Sequence, residues 1–154
     1  MLKLTVSLIL GLTPVFMVSG LMADDKADRD NLVGSWESDA GSGTPTGWTF
    51  ANKANMIEVT QTEDGKAIAN FECKTEGSSC EIKSNGKKAT VSLWFNGSKL
   101  VQMETRGSDV VKRRFGVLPQ GDTLELEVIP IVPSGKTETY RFKRAQSTSA
   151  RRAN

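Results

Sequence analysis

The sequence predicts an all-β domain: an antiparallel up-and-down meander closed into a barrel of eight to ten strands. Three observations predict it. Apolar and polar residues alternate with a period of two from Leu32 to Arg144. Tight-turn dipeptides punctuate that stretch at short, regular intervals. No part of it carries the period of a long amphipathic helix.

In chain order, Asp25 to Asn31 is polar and suits a short helical turn. Ten extended runs follow, at 32–38, 47–51, 56–62, 66–74, 80–84, 88–95, 99–105, 110–118, 123–131 and 136–143. Asp64-Gly65, Asn85-Gly86 and Asn96-Gly97 tolerate positive φ and mark two-residue hairpins. Gly107-Ser108-Asp109, Gly121-Asp122 and Pro133-Ser134-Gly135 suit slightly longer turns. Cys73 and Cys80 flank the turn between the fourth and fifth runs, with Gly77 between them. In an oxidising compartment the pair reads as a disulfide across a hairpin.

Parity then assigns the faces. One face collects Trp36, Trp48, Phe50, Ile57, Val59, Phe71, Val91, Leu93, Val101, Met103, Phe115, Leu124, Leu126, Tyr140 and Phe142. The other carries Glu58, Thr60, Asn70, Gln102, Glu104, Lys112, Arg114, Glu125 and Arg141. An open sheet would leave the apolar face and two edges in water, whereas closure into a barrel buries the one and removes the other. A two-sheet sandwich is the alternative, but sequential tight turns favour the barrel.

The ends are of a different kind. Lys3 precedes an apolar run from Leu4 to Val18, and Ser19, Gly20 and Ala23 supply small residues. That is the layout of a secretory signal peptide, residues 1–23, with cleavage expected after Ala23 and export to the periplasm or the medium. The domain then spans 24–144, and 145–154 is a disordered basic tail of Ser, Thr, Ala and Arg.

Composition excludes several functions. The 154 residues are 38% hydrophobic and 25% charged, with a net charge of +2, too balanced for a nucleic-acid partner. There is no histidine, so Ser-His-Asp triads, Cys-His pairs and imidazole metal sites are excluded. Glu125 and Glu127 share the solvated face and are not an acid–base pair. Asp24, Asp25, Asp28 and Asp30 lack the ligand order of a calcium loop. A monomer without enzymatic activity, metal or cofactor is expected.

Leu32-Val33-Gly34-Ser35-Trp36, at the start of the first run, resembles the Gly-x-Trp signature of the lipocalins and the wider calycin group. The resemblance covers residues 30–144 in layout and 32–36 in motif. It implies a lipocalin-like barrel, of the kind found in small exported bacterial domains, that binds a small hydrophobic molecule inside. It also implies that Gly34 permits a close backbone approach, that Trp36 plugs one end, and that Arg141 or Arg144 stacks on that ring, with Arg141 the candidate. The Thr-Asp-Tyr motif and the helix after the last strand are missing from this chain.

Within such a barrel Ala67, Ala69 and Ala89 make one wall small, leaving room for a cavity, or for the bulk of Trp48 and Phe71 from opposite walls. Arg113 falls on the apolar face between Val111 and Phe115. With Tyr140, also inward, it resembles the arrangement by which fatty-acid carriers hold a carboxylate. Trp48, Phe71, Arg113 and Tyr140 are therefore the candidate ligand-binding residues, and an amphipathic carboxylate is the favoured ligand. Trp94 points outward and is the candidate surface for a protein partner. The competing function is a ligand-free interaction or inhibitor module with a filled core.

Overall fold

A computed structural model describes residues 25–38 and 46–146. The signal-peptide reading of 1–23 and all but the first two residues of the basic tail lie outside the described residues. One helix, α1 (Asp25–Leu32), precedes ten strands. They are β1 (Gly34–Ser38), β2 (Thr46–Lys53), β3 (Met56–Glu63), β4 (Lys66–Lys74), β5 (Glu76–Ser84), β6 (Lys87–Asn96), β7 (Lys99–Arg106), β8 (Asp109–Val117), β9 (Thr123–Val132) and β10 (Glu138–Arg144). Each strand pairs antiparallel with its sequence neighbour, and β1 also pairs with β10, closing the barrel. This is the expected meander, at the upper end of the expected strand count.

The turns follow the sequence chemistry. Asp64 and Gly65, and again Asn85 and Gly86, all have positive φ. That is the backbone of a two-residue turn whose twist matches the flanking strands. The hairpin between β4 and β5 is different. Its ladder has one paired position, Ala69 with Ser84, and the Cys73–Cys80 disulfide joins the two strands closer to their turn. β5 also starts earlier than expected, at Glu76, because Glu76 and Ser79 pair with Trp94 and Ser92 of β6 despite an irregular register. Glu76-Gly77-Ser78-Ser79 carries no apolar alternation that could have revealed it.

One face of the meander forms the core as expected. Trp36, Trp48, Phe50, Ile57, Val59, Phe71, Val91, Leu93, Phe115, Leu124, Leu126 and Phe142 are all buried. Ala69 and Ala89 are buried too, while Ala67 is exposed near the rim. Strand β7 requires a correction. Val101 and Met103 were expected inside; instead Leu100, Gln102 and Glu104 face the interior. They stand opposite the inward Phe95, Leu93 and Val91 of β6, and directly opposed residues share a face. Val101 is buried on the outer side, between Trp94 and Arg114 in register. Trp94 is outward, as expected, but half-buried.

Candidate functional site

The barrel's two ends differ in chemistry. Helix α1 closes one end. There Trp36 is completely buried, and its Nε1 donates to the Leu32 carbonyl at 2.9 Å. The Arg144 guanidinium lies 4.1 Å from the centre of the Trp36 ring, a cation–π contact. It also donates to the carbonyls of Val33 (2.8 Å), Asn31 (2.9 Å) and Gly121 (3.1 Å). One side chain thereby ties α1, the β8–β9 turn and the first strand together.

Gly34 makes this possible. Its φ is +132°, and a Cβ there would stand 2.6 Å from Arg144 Nη1. The covering residue is Arg144, not Arg141, and parity explains the correction. Arg144 is opposite Trp36 in the β1–β10 register. Arg141 has the other parity, lies on the outer face and pairs with Glu125 at 3.4 Å. Above the plug, Trp48 meets Phe115 edge-on at 4.9 Å, and Phe50 meets Phe115 at 5.2 Å. Trp48 and Phe71, expected at a ligand cavity, are 4% and 7% exposed and belong to this packed core. A crevice of about 130 Å³ lies outside it, between α1 and the β8–β9 turn, with Asp28 the one charged residue among its described lining residues.

The other end is polar inside. Arg113, on the inward face of β8 as expected, donates through Nη1 to Glu104 Oε2 at 2.6 Å. Arg106 donates through Nη2 to Glu104 Oε1 at 2.7 Å, and Gln102 Nε2 reaches Glu104 Oε2 at 3.3 Å. Glu104 and Gln102 are buried, and Gln102 Oε1 has no hydrogen-bond partner. A cavity of about 140 Å³ opens here, lined among the described residues by Glu104, Arg106, Asp109, Val111 and Arg113.

Of the four candidate ligand residues, the structure places Arg113 alone on this cavity. Tyr140 has the inward parity but stands half-exposed on β10, where its hydroxyl donates to Glu138. That bond holds the phenol's pKa above its ordinary value. Gln102, Glu104 and Arg106 were missed by the alternation of β7. A signal for them existed: a two-residue turn between β6 and β7 places the even-numbered residues of β7 opposite the odd-numbered, inward ones of β6.

On the outer wall Glu127 accepts from Lys99 (2.5 Å) and Arg114 (3.0 Å). The Lys99 hydrogen bond is the main reason its carboxyl lies below the ordinary range. Among the described residues no group of three or more His, Cys, Asp or Glu could hold a metal ion, and no helix is long and apolar enough to cross a membrane.

No family model matches the chain, and no curated protein matches it in sequence. Solved structures do match its fold. The Schistosoma mansoni fatty acid binding protein in complex with arachidonic acid superposes with a TM-score of 0.65 at 15% identity, over 77% of this chain and 99% of that one. Secretory abundant heat soluble protein 4 of Ramazzottius varieornatus gives 0.63 at 15% identity, over 75% and 96%. Fatty-acid-binding protein 1 of Echinococcus granulosus gives 0.64 at 7% identity, over 76% and 99%. The chain therefore has the ten-stranded calycin barrel fold of these proteins.

Proposed function

We propose that this protein is a non-enzymatic binding barrel, exported from the cytoplasm, that holds a small amphipathic molecule by its head group at the open end. The observation that carries this is the charged cluster on the inward face. Arg113 and Glu104, mostly buried, line a cavity, and buried Gln102 donates to Glu104. Buried ion pairs contribute little stability over apolar residues of similar volume, so a structural role alone accounts poorly for them. Several structures of the same fold are fatty-acid-binding proteins by name, which supports a ligand of this general class. Export is supported by the apolar amino-terminal run and by the disulfide.

The cavity, about 140 Å³, is below the roughly 300–1,000 Å³ usual for whole small-molecule sites. The head group enters it, and the tail runs past Val111 and Val128 to the mouth. Among the described residues the exposed large hydrophobic side chains, Ile131, Val132 and Tyr140, all lie on β9 and β10. The packed closed half also favours a second reading, a ligand-free interaction module.

Titration with a dansyl-labelled amphiphile separates the two. Saturable binding at one site, weakened at least about ten-fold by Arg113→Met, supports the binding barrel. No saturable binding, together with a partner protein captured from the exported fraction and lost on Trp94→Ser, supports the module.

A further inference from the structure

We infer that the open-end pocket prefers an uncharged head group that both donates and accepts hydrogen bonds, such as a primary amide or a hydroxyl, over a carboxylate. This deepens the binding reading above and rests on it. Two features point the same way, the charge of the pocket's lining and the hydrogen bonding of the cluster around Glu104.

The first is charge balance. The lining carries two arginines, Arg106 and Arg113, and two carboxylates, Glu104 and Asp109. Glu104 already answers both arginines, one with each carboxylate oxygen. An incoming carboxylate must compete with Glu104 for Arg113, and success replaces one ion pair by another with an extra negative charge in a partly desolvated space. A neutral head group has no such competition. It can accept from the guanidinium N–H groups that Glu104 leaves free, because Arg113 has five donors and one of them is committed to Glu104.

The second is hydrogen-bond demand. Gln102 is 2% exposed, and its Oε1 is a buried acceptor without a partner; its amide orientation is fixed by Nε2 donating to Glu104. Arg106 Nε is a buried donor without a partner. The cluster thus has an open acceptor and an open donor close to the same carboxylate. Within the lining itself an amide or hydroxyl can donate to the carboxylates of Glu104 or Asp109 and accept from Arg113, whereas an ionised carboxylate has no hydrogen to give.

The test uses three ligands of one chain length: decanamide, methyl decanoate and decanoate, each titrated calorimetrically into the full chain at a pH where the acid is ionised. Decanamide should bind at least about ten-fold more tightly than either of the others. The ester controls for hydrophobicity, because it is more apolar than the amide yet has no donor. The variant Glu104→Gln should tighten decanoate at least about ten-fold relative to decanamide, since Arg113 then lacks its internal partner. The inference is overturned if decanoate or the ester matches decanamide in the native chain, or if Glu104→Gln folds and leaves the ranking unchanged. Should that variant not fold, the ranking on the native chain decides. Absence of binding by all three overturns the binding reading itself, and this inference with it.

Discussion

The closed and open ends of this barrel use the same kind of residue for opposite purposes. At the closed end Arg144 is spent on structure: it covers Trp36 and satisfies three backbone carbonyls. At the open end Arg113 faces a carboxylate, a cavity and, further out, water. The first arrangement satisfies three carbonyls and packs against the Trp36 ring; the crevice of about 130 Å³ and the unpartnered Arg29 Nε at that end lie outside it, at α1. The second leaves an unpartnered acceptor, an unpartnered donor and room. An arginine's setting, rather than its presence inside a barrel, separates a scaffold from a binding site.

The sharpest way to break the contrast is at the plug. Trp36→Ala should lower stability by about 3–5 kcal/mol in urea denaturation, as a large buried aromatic leaves a cavity and takes its hydrogen bond with it. Gly34→Ala acts on the same plug through Arg144. With φ at +132° and a 2.6 Å approach to the guanidinium, it should cost about 2–3 kcal/mol by the same assay. Loss of the disulfide, by Cys73→Ser with Cys80→Ser, should cost about 2 kcal/mol, because the closed loop is short. Hydrogen exchange in that variant should rise most in β4 and β5, where the ladder has a single paired position.

Open-end changes should read differently. Arg113→Met should cost stability only about 1 kcal/mol, since Arg106 still holds Glu104, yet it should weaken amphiphile binding at least about ten-fold. The smallest effect belongs to the outer wall. Glu127 has its folded pKa below its unfolded value, through Lys99 first and then Arg114. Its contribution is therefore complete above the ordinary carboxylate range and is lost as pH falls through the folded pKa. Glu127→Gln should lower stability near neutrality by about 0.5 kcal/mol and flatten the acid limb of a melting-temperature profile, the two chains converging at low pH.

Alternation and turn dipeptides made the meander, its closure and most of its core legible in the sequence. The roles of Trp36 and Gly34 were legible through the Gly-x-Trp resemblance, and the disulfide through the short spacing of its cysteines. The open-end cluster was only half legible. Arg113 stood out as a charge on an apolar face, but its partners did not. On β7 apolar Val101 and Met103 alternate with polar Gln102 and Glu104, and hydrophobicity alone puts the wrong pair inside. The outer wall buries Val101 beside Trp94 and Arg114, so hydrophobicity there reports lateral cover rather than the core. Which of Arg141 and Arg144 covers Trp36 was hidden for a related reason: the β1–β10 register is set by closure between strands far apart in sequence.

The most direct measurement follows the backbone amide signals of the isotope-labelled full chain by NMR during titration with a short-chain amphiphile. The account predicts saturable shifts at Gln102, Glu104, Arg106 and Arg113, with Gly34, Trp36 and Arg144 unmoved. Shifts confined to the closed end, or none at saturating ligand, would contradict it.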